Sequence, residues 1–234
     1  MMRRLAVLAM LAALAAGPAP AQPISSAETL LFETDHLARL KAPATLVYAF
    51  RKDSNVEPGF SDEVRLDLVQ VKGRLSATLH FLSGEHKQDI PALEEAHGNP
   101  VLLGFLEHDI AEMKRLTGGS TSYFRKRIRM ALAEGAQVSR QQIVYQGRTL
   151  DAQVVRIQPY LNDPMHARFE KYLHKMYTFV LSEQVPGGLY QLRTSVGKPE
   201  PVRTAASMPA VPAPVPVPVI DETLTLISVT PKQP

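Results

Sequence analysis

NPVLLGFLEHDIAEMKRLTGG at residues 99–119 and STSYFRKRIRMALAEG at residues 120–135 predict two consecutive helices joined by a glycine turn. Asn99 is a good N-cap for the first helix, and Ser120 is the expected N-cap of the second. Each helix has one apolar stripe at helical spacing: Leu102, Leu106, Ile110 and Met113 in the first, and Phe124, Ile128, Ala131 and Leu132 in the second. This stretch decides the fold because the remaining chain has strand, turn or tail patterns.

The first half of the first helix carries a glycine within an almost continuous apolar run. Gly104 lies inside Val101–Leu106, where it costs about 1 kcal/mol relative to alanine. Such a residue predicts that another backbone or a ligand packs closely against the helix at this point. Ordinary packing between helix and sheet is the simpler of these two interpretations.

Strand patterns lie on both sides of the helical pair. Alternating or β-rich runs precede it at residues 45–50, 64–68 and 75–81, and follow it at residues 141–145, 150–157, 172–181 and 189–196. A capping box at Ser25 and Glu28 predicts a short N-terminal helix within residues 25–40. The order predicts an α+β fold, a curved antiparallel sheet of about seven to eight strands with a central helical pair packed on one face.

The N-terminus has the pattern of a secretory signal peptide at residues 1–21. Arg3 and Arg4 form its charged part, an apolar run follows to Ala16, and Ala19-Pro20-Ala21 suits cleavage. Residues 22–197 are then predicted to form a single domain. No later apolar run is long enough to cross a bilayer, so the sequence predicts a soluble periplasmic protein.

Composition excludes several classes of protein. The chain has no cysteine and therefore no disulfide, thiol nucleophile or thiolate metal site. Its net charge of +3 falls to +1 when Arg3 and Arg4 leave with the signal peptide, so the sequence lacks the concentrated basic surface that nucleic-acid binding needs.

The C-terminal region separates into a Pro-rich linker at residues 198–220 and a β-prone tip at residues 221–234. The linker favours extended polyproline II structure. The run TLTLISVT at residues 223–230 is suited to joining a sheet edge, its own or that of a partner, or it is an idle end of a disordered tail.

Candidate polar sites cluster on the two helices. His108 with Glu112, and the carboxylates of Glu107, Asp109 and Glu112, share a helix, but they lack the motif of a metal site or a catalytic pair and are interpreted as a solvated face. The start of the second helix suggests an anion site, with ordinary helix capping as the alternative; its candidate residues are Ser120, Thr121, Arg125 and Arg129. The sequence predicts no enzyme, no metal and no cofactor.

Three short segments resemble a known family. Tyr48-Ala49-Phe50, the run at residues 60–64 and the run at residues 177–182 resemble LolA-like exported proteins, the half-barrel carriers of bacterial envelopes. The resemblance implies a soluble carrier or binding module for an apolar or amphipathic, lipid-like ligand. The predicted lining, which is equally compatible with plain core, is Leu102, Phe105, Leu106, Phe124, Phe81 and Phe179. The alternative is an envelope interaction or scaffold protein that binds a partner through its Pro-rich tail.

Overall fold

A computed structural model describes residues 23–197 and 220–231. The predicted signal peptide and nearly all of the predicted Pro-rich linker lie outside the described residues. Within them the chain forms three helices and nine strands in one antiparallel, open sheet, which confirms the α+β prediction with nine strands instead of seven or eight. None of the helices in the described part of the chain has both the length and the apolar character needed to cross a membrane.

The helices begin and end at the predicted signals. They are α1 (Ser26–Glu28, continued by a π-helical turn at Thr29–Glu33), α2 (Pro100–Thr117) and α3 (Thr121–Glu134). Asn99 accepts a hydrogen bond from the Val101 N–H at 3.1 Å, and Ser120 accepts one from the Tyr123 N–H at 3.2 Å. Gly118 ends α2 in the left-handed conformation, with φ of 69°, that glycine adopts without strain. The capping box of α1 is also present, although regular helix ends at Glu33, short of the predicted limit.

The sheet has the strand order β4-β3-β2-β1-β9-β8-β7-β6-β5. Its strands are β1 (Ala44–Ser54), β2 (Phe60–Val71), β3 (Arg74–Phe81), β4 (Gln88–Asp89), β5 (Gln137–Tyr145), β6 (Arg148–Ile157), β7 (Met176–Leu181), β8 (Leu189–Val196) and β9 (Ile220–Pro231). Strand β7 is shorter than the predicted run from Tyr172, because Tyr172 lies in a 3₁₀ turn at Glu170–Tyr172.

The β-prone tip occupies the centre of the sheet. Strand β9 pairs antiparallel with β1 along its whole length and with β8 from Ile220 to Thr225. Because Ile220 lies opposite Val196 at the end of β8, residues 198–219 connect two neighbouring strands. The segment therefore joins its own sheet as an interior strand, and the prediction that it adds to a sheet edge is wrong.

The core lies between one face of the sheet and the helices. Alternate residues of β1 and β9 point into it, including Leu46, Tyr48 and Phe50 from β1 and Leu224 and Leu226 from β9. The apolar stripes of α2 and α3 cover this face and belong to the same buried cluster. One continuous core thus joins the two halves of the sheet under the helical pair.

Candidate functional site

The six residues predicted to line a ligand pocket lie in the closed core. Leu102, Phe105, Leu106, Phe124, Phe81 and Phe179 are all buried, and the most exposed of them, Leu106, is 6% exposed. Two surface clefts of about 350 and 510 Å³ lie elsewhere, beside the β2–β3 turn and beside the end of α3, and none of the six lines them. The six side chains belong to one buried hydrophobic cluster.

Gly104 marks the closest approach of α2 to the sheet. A Cβ atom at this position would lie 2.7 Å from Leu79 Cδ2 and 2.9 Å from Phe81 Cδ2. Real Cβ atoms essentially never approach this closely, so any larger residue moves either the β3 side chains or the helix. The glycine serves close helix–sheet packing, the simpler of the two interpretations.

One turn further along, α2 meets the sheet through charged groups. His108 and Asp109 are 6% and 0% exposed, and Glu112 is largely buried. A continuous row of register partners faces these side chains from the sheet. From β7 through β8 and β9 to β1, the row consists of Tyr177, Thr194, Glu222 and Lys52. We call Lys52, His108, Asp109, Glu112, Lys175 and Glu222 the buried charged layer.

Lys52 is the central cation of this layer. Its ammonium group lies 2.8 Å from Glu57 Oε1, 2.9 Å from Glu112 Oε2 and 3.1 Å from Glu222 Oε1, and its side chain is only 5% exposed. Burial alone would lower the pKa of Lys52, but the surrounding carboxylates outweigh it and raise the pKa above its usual value. Lys52 therefore stays charged in the interior.

Glu112 shares a second cation at the rim of the layer. Arg115 Nη2 lies 2.7 Å from Glu112 Oε2 and 2.8 Å from Glu57 Oε2. Burial opposes ionisation of Glu112, but hydrogen bonds from Arg115 and Lys52 lower its pKa to about 2. The carboxylate is thus ionised and paired at neutral pH.

Asp109 forms the other half of the layer with two tyrosines. It is ion-paired with Lys175, and its Oδ2 accepts the Tyr177 hydroxyl at 2.5 Å. The Tyr160 and Tyr177 hydroxyls lie 3.0 Å apart. Burial, followed by the field of Asp109, raises the pKa values of both tyrosines, so their hydroxyls remain protonated and Tyr177 remains a donor.

His108 and Glu222 face each other with a wider gap. His108 Nε2 lies 3.7 Å from Glu222 Oε2, and neither atom has a hydrogen-bond partner among the described residues. The other ring nitrogen of His108 lies 2.8 Å from Gln88 Nε2. Burial would raise the pKa of Glu222, but the facing His108 and the ammonium groups of Lys175 and Lys52 lower it to about 2.

The charges of the layer and its rim nearly cancel. Three cations (Lys52, Arg115 and Lys175) meet four carboxylates (Glu57, Asp109, Glu112 and Glu222). The net charge of these seven groups is −1, and it would be zero if His108 carried a positive charge. The described residues contain no group of three or more metal-ligating side chains arranged for an ion.

The prediction of a solvated acidic face on α2 is wrong for His108, Asp109 and Glu112. Only Glu107 behaves as predicted, since it lies at the surface and pairs with Arg125 at 2.7 Å. The sequence does contain the missed signal. Asp109 is four residues from both Phe105 and Met113, which are buried, and Lys52 and Glu222 continue the inward alternation of their strands.

Two of the four candidate anion ligands have other partners in this structure. The Ser120 hydroxyl caps α3, Thr121 follows it as the first residue of the helix, and Arg125 forms a bidentate pair with Glu107. Arg129 lies one turn beyond, exposed on α3. Capping and ion pairing account for Ser120 and Arg125, and anion binding at this turn stays a prediction.

Comparison with solved structures gives a weak resemblance in fold. No family model matches the chain, and no curated protein matches its sequence. Among solved structures, the chain is similar to the lipoprotein LppX of Mycobacterium tuberculosis, with 11% sequence identity over 77% of this chain and 84% of LppX. The TM-score is 0.28, so the similarity amounts to a weak resemblance in fold.

Proposed function

We propose that this protein is an exported, soluble binding or carrier module of the bacterial envelope for an apolar or amphipathic, lipid-like ligand. The ligand lies between the α2–α3 pair and the sheet after the two have separated. The proposal assigns no catalytic step and no cofactor to the chain. It is carried by one observation, the buried charged layer inside an otherwise apolar interface.

The interface between α2 and the sheet is itself amphipathic. Toward its N-terminus α2 packs Val101, Leu102 and Phe105 on apolar strand residues, and toward its C-terminus it meets the buried charged layer. An amphiphile has the same division between an apolar chain and a polar headgroup. In the proposed complex the chain replaces helix–sheet contacts near Phe105 and Phe81, and the headgroup lies near Lys52 and Lys175.

The layer also lowers the cost of opening. Burying an ion pair costs several kcal/mol per ion in lost hydration, and replacing such pairs by apolar residues often stabilises a protein by about 1–4 kcal/mol. When the helices move away, the charged groups regain their hydration. Exposing a purely apolar interface to water would instead cost about 25 cal/mol of free energy for each Å². The charges therefore favour an interface that opens and closes over one that is permanently shut.

Native mass spectrometry of protein purified from the envelope fraction, with organic extraction of whatever co-purifies, tests the proposal. We expect a stoichiometric adduct of lipid size. We also expect a variant with Lys52→Met and Glu222→Leu to carry less adduct, because the middle of the buried charged layer becomes apolar.

A matched control changes the neighbouring register pair on the opposite face of the same strands. Arg51 and Thr223 are partners in β1 and β9, directly beside Lys52 and Glu222. The variant with Arg51→Met and Thr223→Leu should carry as much adduct as the wild type. A wild-type protein without any adduct, which also fails to bind single-chain amphiphiles added in vitro, would refute the proposal.

The alternative, an envelope interaction protein acting through its tail, loses its free tip in this structure. The tip residues from Ile220 to Pro231 form an interior strand that pairs with β1 along its whole length and with β8 from Ile220 to Thr225. Only residues 198–219 and 232–234 remain for such a role, and they lie outside the described residues.

A further inference from the structure

The two edges of the sheet are protected to different degrees. At one edge β3 is covered by β4, and the loop beyond β4 exchanges two hydrogen bonds of 2.9 Å between Leu93 and Ala77. At the other edge, among residues 23–197 and 220–231, β5 pairs with β6 alone. We propose that β5 is a self-association surface, at which two copies of this chain join their sheets edge to edge.

The edge of β5 lacks most of the features that prevent strand addition. Natural edge strands are blunted by proline, by charges, by bulges, by being very short or by a covering helix or loop. Helix α1 contacts β5, but seven of the nine β5 residues are exposed. Strand β5 reads QVSRQQIVY, pairs with β6 without a register shift over nine residues, and has a single charged residue, Arg140. Its outer face carries Val138 and Val144, which are 38% and 63% exposed.

The β5–β6 turn shows which backbone groups face outward. Gln146 and Gly147, with φ of 49° and 74°, form a two-residue turn between the partners Tyr145 and Arg148. In such a hairpin the flanking pair is hydrogen-bonded, and bonding then alternates along the ladder. The N–H and C=O groups of the even-numbered residues 138, 140, 142 and 144 therefore point away from β6. Among the described residues, the Val144 carbonyl alone of these groups has a partner outside the ladder, the Tyr190 hydroxyl at 3.1 Å, and a carbonyl oxygen has a second lone pair for another donor.

A second copy fits this edge better than an unrelated strand because the sequence is self-complementary. In the antiparallel register centred on Gln141, Val138 lies opposite Val144 of the second copy, and the symmetry repeats this pair at the other end. Arg140 lies opposite Gln142, so no like charges face each other. The pairing adds about eight main-chain hydrogen bonds, two for each outward-facing residue pair, and it is isologous, as a two-fold dimer requires.

Cysteine substitution tests this register directly, since the chain has no native cysteine. In the proposed dimer the two Gln141 residues form a non-hydrogen-bonded pair with Cα atoms about 4.5 Å apart, a distance that a disulfide can span. Gln137→Cys is the matched control, because the two copies of residue 137 would be separated by about 27 Å along the strands. Under mild oxidation the full-length Gln141→Cys protein should form a covalent dimer at least tenfold faster than Gln137→Cys.

Sedimentation equilibrium measures the uncrosslinked protein between about 1 μM and about 1 mM. Wild type should show a monomer–dimer equilibrium, and Val138→Lys with Val144→Lys should weaken it at least tenfold by placing lysines opposite each other. Val69→Lys is the control, since Val69 is equally exposed at 38% but lies on the interior strand β2. A wild type that is monomeric throughout this range, or equal crosslinking of the two cysteine variants, would overturn the proposal.

Discussion

Removal of residues 220–234 should unfold this protein. The truncation deletes β9, whose inward-facing Ile220, Leu224 and Leu226 are 4%, 0% and 2% exposed. Burial of a large aliphatic side chain contributes about 1.5–3 kcal/mol, so the three together contribute roughly 5–9 kcal/mol. The total stability of a domain is only about 5–15 kcal/mol, and the truncation also breaks the hydrogen-bonded ladders to β1 and β8.

Circular dichroism and chemical denaturation measure the result. The chain ending at residue 219 should show no cooperative unfolding transition, whereas a chain lacking only residues 232–234 should match the full-length protein. A synthetic peptide of residues 220–231 should restore the transition when added to the truncated chain, because it supplies the missing strand. A truncated chain that melts cooperatively at the full-length temperature would refute the central placement of β9.

Three further substitutions probe the interface between α2 and the sheet. Gly104→Val should lower the free energy of unfolding by about 1–3 kcal/mol by overpacking, and it should increase the uptake of amphiphile. The control is Gly98→Val, which should change neither quantity because a Cβ at that position meets open space. Because the pKa of Glu222 is lower in the folded protein, its ionised carboxylate stabilises the fold above about pH 4.5, and this contribution is lost as the pH falls toward about 2. Glu222→Gln should therefore flatten the acid limb of a profile of stability against pH. Tyr177→Phe should cost about 1–3 kcal/mol in chemical denaturation, because the buried Asp109 carboxylate loses a hydrogen-bond donor.

Local signals in the sequence were sufficient for the helices and most strands. Asn99, Gly118 and Ser120 act through their nearest neighbours, so their capping roles are readable without knowledge of the tertiary fold. The type I′ turn at Gln146 and Gly147 is equally local. Each of these features depends on neighbouring residues alone, so the local sequence is enough to predict it.

The features that were missed depend on contacts between distant segments. A β-prone run after a Pro-rich segment does not reveal that β1 and β8 leave a gap of one strand, because its partners in both strands lie at least 24 residues away in the sequence. The buried charged layer was missed for the same reason. Asp109 and Glu112 have the local pattern of a solvated face, and the buried cations that pair with them, Lys175 just before β7 and Lys52 in β1, lie more than 55 residues away in the sequence.

In the proposed function α2 separates from the sheet when a ligand binds, and a distance between two spin labels measures that separation. Labels at Leu103→Cys on α2 and Val69→Cys on β2 use positions that are 50% and 38% exposed, and Val69→Cys with Ile227→Cys provides a control within the sheet. With a saturating single-chain amphiphile, such as a lysophospholipid, the helix–sheet pair should gain a population at longer distance while the control pair stays unchanged. Confirmed binding with an unchanged helix–sheet distance would contradict the account.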